Sequence, residues 1–86
     1  MKINQLISIV RQKLEKNIKF EHLLIEDKSF LHKKHKGNDL EKFHLKLSIQ
    51  SKHLQKSNKI QSTRKIHSIL KEELEKYIHS IQILIN

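Results

Sequence analysis

Histidine offers most of the chemistry that this sequence could perform. The chain has seven histidines among 86 residues and no cysteine. Neutral imidazole is a common metal ligand, and histidine is the one side chain that ordinarily titrates near neutral pH. His32 and His35 lie in a long polar stretch, and His79 opens a β-rich segment near the last residue. Because His32 and His35 lack the HExxH pattern of zinc proteases, spacing alone does not define a metal site.

The five histidines outside the long polar stretch are predicted, from the sequence pattern alone, to be surface or packing side chains. His44 begins an alternating strand on its polar side. His79 shares the parity of the isoleucines from Ile81 to Ile85, so its ring is predicted to start on the core-facing side, at the mouth of the strand. By itself this placement is typical of a half-buried packing histidine. The three that are interpreted as surface residues are His22, His53 and His67.

Composition excludes several classes of active site. Without cysteine, the chain has no disulfide, no thiolate nucleophile and no iron–sulfur cluster held by cysteines of its own. One glycine and no proline exclude P-loops and dinucleotide-binding fingerprints. No serine or threonine stands in a nucleophile elbow or a triad context. Glu72, Glu73 and Glu75 are interpreted as a solvated, lysine-paired helix face, so we expect no enzyme.

Five elements are predicted along the chain. Apolar residues recur at helical spacing over roughly residues 2–16, and Asn17 is a plausible stop for this helix. Strict alternation over residues 43–50 predicts a half-buried strand. Asn58 and Gln61 resemble a capping box that opens the second helix. The prediction is therefore helix 2–16, strand 20–27, strand 43–50, a helix to about residue 76 and strand 78–85, with polar connections at 27–42 and 51–59.

The order α-β-β-α-β predicts an α+β fold, with residues 1–86 as a single domain. The apolar faces of these elements are all buried if both helices pack on one face of a three-stranded mixed sheet, and this is the predicted arrangement. The helical crossover makes the last strand a parallel neighbour of an earlier one, with a right-handed connection. No apolar run approaches the roughly 18 residues of a membrane span, and no signal-peptide pattern opens the chain. The expected compartment is the cytoplasm, without a membrane partner.

The charge balance is strongly basic. Eighteen lysines and arginines face nine acidic residues, which gives a net charge of +9. Such a balance is expected of proteins that bind nucleic acid or another acidic surface. Only Arg11 and Arg64 are arginine, however, and arginine is the residue that reads guanine and clamps phosphate with two hydrogen bonds. The composition therefore indicates a non-specific positive field more than a base-reading surface.

Four stretches together resemble the BolA family over nearly the whole chain. Residues 27–32 (DKSFLH) are similar to the family's Asp-x-Ser-x-x followed by His or Cys. Residues 44–51 (HLKLSIQS) are similar to its His-Phe-Lys strand, which ends in Val-Ser. Residues 66–74, ending in KEEL, resemble its second helix, and residues 77–81 (YIHSI) resemble its closing strand with a characteristic histidine. The resemblance rests on the order, spacing and length of these stretches taken together.

The resemblance implies a fold like a type II KH domain and a non-enzymatic role. BolA-like proteins pair with monothiol glutaredoxins of the Cys-Gly-Phe-Ser type and share a [2Fe–2S] cluster with them, in iron–sulfur trafficking or iron and redox regulation. The glutaredoxin cysteine and a glutathione thiolate hold one side of that cluster. On this resemblance the other side is assigned to His79 and His32, with His35 as a substitute for His32. Two imidazoles in place of two thiolates would raise the reduction potential of the cluster, and the chain alone would hold no cofactor.

The sequence also allows two other functions. Some BolA relatives are described as DNA-binding transcriptional regulators, which the charge of +9 permits. The second helix offers few side chains that can read base edges, and the single Gly37 cannot form the GxxG loop with which KH domains grip RNA. Alternatively, the fold is an interaction domain without a cluster, as a monomer or a weak homodimer. Candidate DNA contacts are Lys33, Lys34, Lys36, Arg64 and Lys65.

The chain departs from the family pattern at two positions that bear on the fold. Lys56 stands where the family has a glycine, so the turn at this point must form without glycine's freedom at positive φ. Thr63 stands where the second helix of the family has a characteristic histidine. Because Thr63 lies on the apolar stripe of the predicted helix, we expect a change in packing at this position and not the loss of a ligand.

Overall fold

The computed structural model of the chain describes residues 1–29 and 42–86, which form an α+β fold. The predicted order is confirmed, with two refinements in the second helical region. A short helix lies in the predicted polar connection, and the second helix is divided at Leu70. The elements are α1 (Ile3–Asn17), β1 (His22–Asp27), β2 (Phe43–Gln50), α2 (Lys52–Gln55), α3 (Lys59–Ile69), α4 (Lys71–Lys76) and β3 (Ile78–Ile85). Within those two ranges, no helix combines the length and the apolar character needed to cross a membrane.

Helix α1 buries one apolar stripe and ends where the sequence predicts. Leu6, Val10 and Leu14 are fully buried, at the spacing that places them on one helix face. The helix stops at Asn17, whose side-chain amide donates to the backbone carbonyl of Lys13 at 2.7 Å. The next residue, Ile18, is extended, and its N–H donates to the Leu14 carbonyl at 2.9 Å, which satisfies one of the carbonyls that a helix leaves unpaired at its C-terminus. The predicted stop at Asn17 is therefore confirmed.

The sheet has the strand order β1-β2-β3, and β2 is therefore the central strand. β1 pairs with β2 in the antiparallel sense, and β2 pairs with β3 in the parallel sense. On β2, Leu45, Leu47 and Ile49 are buried while the residues between them are not, which confirms the predicted alternation. These three side chains join the stripe of α1 and the buried residues of α3 in one hydrophobic core.

A β-bulge at the start of β3 reverses the predicted orientation of His79. Phe43 pairs with Ile78, whereas His44 pairs with Ser80, so His79 is an inserted residue in the pairing of β3 with β2. Ile78 is buried at 1% exposure, and His79 is exposed. Regular alternation back from Ile81 predicts that His79 lies on the core side of β3. One inserted residue moves the residues that precede it in the strand to the opposite face of the sheet. The prediction of a core-facing, half-buried packing histidine is therefore wrong.

Hydroxyl and amide caps build the helical segments after β2. Ser51 accepts a hydrogen bond from the Leu54 backbone N–H at 3.1 Å, and its hydroxyl donates to the Lys19 carbonyl at 2.6 Å. This cap forms α2 in a stretch with too little apolar periodicity for sequence reasoning to detect a helix. Asn58 Oδ1 accepts from the Gln61 backbone N–H at 2.8 Å, so Asn58 caps α3 as predicted.

The two departures from the family pattern are accommodated locally. Lys56 has φ −70° and ψ −23°, a right-handed helical conformation open to any L-residue, so glycine is not required at this turn. Thr63 is half-buried on α3 and lies with Ile83 and Ile85 along a groove between α3 and β3.

One of the three glutamates predicted to form a solvated face is buried. Glu73 is 4% exposed, and its Oε2 lies 2.7 Å from Nζ of Lys13 on α1. Glu73 follows the buried Leu70 by three residues, which places both on the same side of the helical segment. The interpretation of Glu73 as solvated is therefore wrong, whereas the other two glutamates are exposed and Glu72 pairs with Lys76 at 3.3 Å.

Candidate functional site

His79 presents its imidazole at the end of the sheet where β3 begins. The bulge places both His79 and Ser80 opposite the single residue His44 of β2. The rings of His44 and His79 meet edge to face, with centroids 4.9 Å apart and planes inclined by 60°. His79 is exposed and His44 is half-buried, so the pair has an inner member and an outer member.

His44 is fixed by hydrogen bonds to β3 on one side and to the residues that follow β1 on the other. Its ring Nδ1 lies 2.7 Å from Ser80 Oγ on β3. Its backbone N–H donates to Ser29 Oγ at 3.1 Å, and its carbonyl accepts from the Lys28 N–H at 2.7 Å. The start of β2 is therefore joined to β3 on one side and to the residues that follow β1 on the other.

The stretch DKS at residues 27–29 has an identifiable structural role. Asp27 Oδ1 accepts from the Ser29 backbone N–H at 2.9 Å, which closes an Asx-type turn directly after β1. The turn brings the hydroxyl of Ser29 to the backbone N–H of His44. Asp27 and Ser29 therefore hold in place the strand end that carries His44.

Among the described residues, the candidate metal donor is the exposed imidazole of His79. An exposed neutral imidazole can ligate a metal without leaving its own fold. In residues 1–29 and 42–86, no group of three or more His, Cys, Asp or Glu side chains could hold a metal ion.

Several predicted site residues fall where the structure gives no description. His32 and His35, predicted as the second ligand and its substitute, lie outside the described residues, and so do Lys33, Lys34 and Lys36. The structure brings His79 together with His44, and it places Arg64 and Lys65 on the exposed surface of α3.

The contact between His44 and His79 was not predicted from the sequence. His44 was recognised as a polar residue at the start of β2, and Ser80 follows His79 directly in the chain. A regular parallel register would leave His44 opposite one residue of β3, and only the bulge brings His79 and Ser80 to it together. Sequence patterns of this length carry no signal for a single-residue bulge.

The fold and the site together define a small α+β protein that offers an imidazole at one end of a mixed three-stranded sheet. A model of the BolA family, described as BolA-like protein, matches residues 14–86. The chain belongs to the BolA family.

Two relatives share about a third of their aligned residues with this chain. It is 32% identical over 80 residues to "Protein BOLA1, chloroplastic" of Arabidopsis thaliana, an alignment that covers 90% of the chain and 50% of that protein. The chain thus spans about half the length of this plant relative. It is also 32% identical over 75 residues to the "DNA-binding transcriptional regulator BolA" of Haemophilus influenzae, covering 87% of the chain and 70% of the relative.

Solved structures of the same family share the fold. BolA1 from Arabidopsis thaliana superposes with a TM-score of 0.76 at 30% identity, covering 92% of this chain and 87% of that one. The BolA domain of SufE1 from the same plant gives a TM-score of 0.78 at 29% identity, covering 100% and 93% of the two chains. The BolA1 protein from Mus musculus gives 0.70 at 25% identity, covering 90% and 60%.

Proposed function

We propose that this chain is a non-enzymatic partner of a monothiol glutaredoxin and contributes His79 to a [2Fe–2S] cluster that the two proteins share. The observation that carries the proposal is the exposed imidazole of His79 on a bulge at the end of the sheet, in a BolA-family chain without cysteine. Because all thiolates must come from elsewhere, the glutaredoxin cysteine and glutathione are the expected ligands on the other side.

The environment of His79 supports this role. A ligand to a centre held on another protein must project from its own surface, and His79 is exposed. It must also stand on a rigid element, since a ligand that has to be ordered on binding costs side-chain entropy. The bulge lies where β3 is paired with the central strand β2, and both neighbours of His79 are residues of β3.

The second ligand in this proposal is His32, with His35 as its substitute. Both histidines lie outside the described residues, in the connection that begins immediately after Ser29. Ser29, the last described residue before these histidines, is bonded to the backbone of His44 and so lies near the end of the sheet that carries His79. When bound, a [2Fe–2S] cluster supplies one-electron redox chemistry, and imidazole ligation raises its reduction potential.

The proposal is tested by titrating the chain into a glutathione-loaded, cluster-bearing monothiol glutaredoxin. Absorbance and visible circular dichroism are expected to change and to saturate at one chain per glutaredoxin. We expect His79→Ala to abolish the new signal and His32→Ala to weaken or alter it. His67→Ala removes an exposed histidine of α3 and serves as the matched control, which should retain the signal of the unmodified chain.

Two outcomes would contradict the proposal. Unchanged spectra in both His79→Ala and His32→Ala would show that the ligands are assigned to the wrong histidines. No spectral change with the unmodified chain would show that it takes no part in the cluster.

The second candidate function is DNA binding. The Haemophilus influenzae relative carries the name of a DNA-binding transcriptional regulator, and this chain has a net charge of +9. Arg64 and Lys65 are exposed on α3 and are the described members of the proposed contact set. Such a surface would bind mainly through phosphate contacts, because lysine supplies most of its charge.

A further inference from the structure

We propose that His44 is a positioning residue that fixes the orientation of the His79 imidazole. This inference rests on the proposed function, because orientation matters here only if His79 ligates a shared centre. The observation behind it is the edge-to-face contact of the two rings, 4.9 Å between centroids and inclined by 60°. Removal of a side chain that orients a metal-ligating histidine typically lowers metal affinity by about 10- to 100-fold.

The position of His79 makes a contact with its ring important. His79 is the inserted residue of the bulge in β3, and its side chain is exposed. Because His79 is exposed, its ring is less tightly packed than the side chains of the core. A side chain in this position loses rotamer freedom when it binds, unless a neighbour has already restricted it. The ring of His44 is placed to provide that restriction.

His44 is itself held firmly enough to act as a support. Its backbone is bonded on both sides, through the N–H to Ser29 Oγ at 3.1 Å and through the carbonyl to the Lys28 N–H at 2.7 Å. Its ring is bonded through Nδ1 to Ser80 Oγ at 2.7 Å. Ser80 is the next residue to His79, so the bond ties the His44 ring to the strand position beside the ligand. The half-buried His44 thus provides a fixed edge against which the exposed ring packs.

The alternative is that His44 acts through its own nitrogen as a ligand. The substitution His44→Phe separates the two roles, because phenylalanine keeps a flat ring at this place and has no nitrogen. His44→Ala removes both the ring and the nitrogen. If His44 positions His79, phenylalanine should preserve most of the function and alanine should not.

The first arm of the test uses the chain by itself, without any cluster. The χ1 rotamers of His79 are measured from its Hα–Hβ NMR couplings in the unmodified chain, His44→Phe and His44→Ala. We expect one dominant rotamer in the unmodified chain and in His44→Phe, and averaged couplings in His44→Ala. His22→Ala, which removes an exposed histidine of β1, is the control and should leave the couplings unchanged. Unchanged couplings in a folded His44→Ala would overturn the proposal.

The second arm measures capture of the cluster from a glutathione-loaded monothiol glutaredoxin. We expect His44→Ala to raise the half-saturation concentration by about 10- to 100-fold and to alter the visible circular dichroism. His44→Phe should stay within a few-fold of the unmodified chain. Equal losses in His44→Phe and His44→Ala would overturn the positioning role, as would normal capture by His44→Ala.

The two arms separate failure of this inference from failure of the proposed function. If the unmodified chain captures no cluster, the proposed function fails, and the role of His44 as support for a ligand fails with it. If the unmodified chain captures the cluster and the rotamers of His79 do not respond to His44→Ala, only the positioning role fails. Amide spectra of each variant establish that it is folded before either arm is interpreted.

Discussion

Lys13 and Glu73 join α1 to α4 through an ion pair of 2.7 Å whose two members differ in exposure. The carboxylate side chain is 5% exposed, and the lysine side chain is 33% exposed. Among the described residues, the second carboxylate oxygen of Glu73, Oε1, is buried without a hydrogen-bond partner. A buried charge without a partner destabilises a fold strongly. Lys13 should therefore contribute more to the free energy of unfolding than a lysine in an exposed surface ion pair.

We therefore expect Lys13→Ala to lower the free energy of unfolding by about 1–3 kcal/mol, since it leaves a buried acceptor without its donor. Lys65→Ala is the matched control, because Lys65 is exposed in the middle of α3. Its substitution should change stability by less than about 0.5 kcal/mol. Urea unfolding followed by far-ultraviolet circular dichroism measures both. Equal, small effects of the two substitutions would show that the pair does not stabilise the fold.

The same pair makes a prediction about alkaline pH. The hydrogen bond to Glu73, assisted by the charges of Glu73 and Glu72, raises the pKa of Lys13 above its ordinary value of 10.5. A raised lysine pKa contributes stability that is complete below the unfolded value and is lost as pH rises through the folded value. The stability difference between the unmodified chain and Lys13→Met should therefore shrink above about pH 10.5. A difference that is constant from about pH 9 to pH 12 would contradict this account.

At the scale of the elements, β2 carries the core of the sheet. Leu47 is fully buried and lies opposite Ile25 on one side and Ile83 on the other. We expect Leu47→Ala to lower the free energy of unfolding by about 2–4 kcal/mol, through lost apolar burial and the cavity left behind. Leu24→Ala makes the same chemical change at a site that is 53% exposed, and it should cost far less. A loss below about 0.5 kcal/mol in Leu47→Ala would mean that the inner face of β2 is misassigned.

The elements that the sequence predicted are those with a strong periodic signal. The alternation of β2 and the stripe of α1 each repeat one pattern over several residues, so a single exception does not hide them. The cap at Asn58 was also predictable, because its partner Gln61 is close in the chain.

The features that the sequence did not predict depend on single residues or on distant contacts. Helix α2 is one turn built on the hydroxyl of Ser51 and has no room for periodicity. The bulge at His79 is one residue long, and it alone decides which face of the sheet the ring takes. The partner of Glu73 is Lys13, which lies sixty positions away on another helix. No local pattern predicts the short cap, the bulge or this ion pair.

At the scale of the whole molecule, the net charge of +9 should give a weak, salt-dependent affinity for DNA. Lysines that neutralise phosphates release counterions, so this affinity should fall steeply between about 50 and 200 mM salt. Replacing Arg64 or Lys65 by alanine should lower the slope of log K against log salt by about one each where that residue contacts a phosphate.

Capture of the cluster from glutaredoxin should change little over the same salt range, because it depends on metal–ligand bonds. Fluorescence anisotropy with a labelled DNA duplex and the circular dichroism titration measure the two activities. Sequence-selective DNA binding that persists at 200 mM salt, together with no capture of the cluster, would favour the regulator function instead.

Electron paramagnetic resonance of the mixed complex tests whether His79 ligates the shared cluster. The chain is labelled with ¹⁵N in its histidines only, bound to an unlabelled cluster-bearing glutaredoxin and reduced by one electron. If His79 is a ligand, an imidazole of this chain gives a strong ¹⁵N hyperfine coupling, which His79→Ala removes and His67→Ala leaves intact. A coupling that survives unchanged in His79→Ala, or a complex that shows no ¹⁵N coupling at all, would show that His79 does not ligate the cluster.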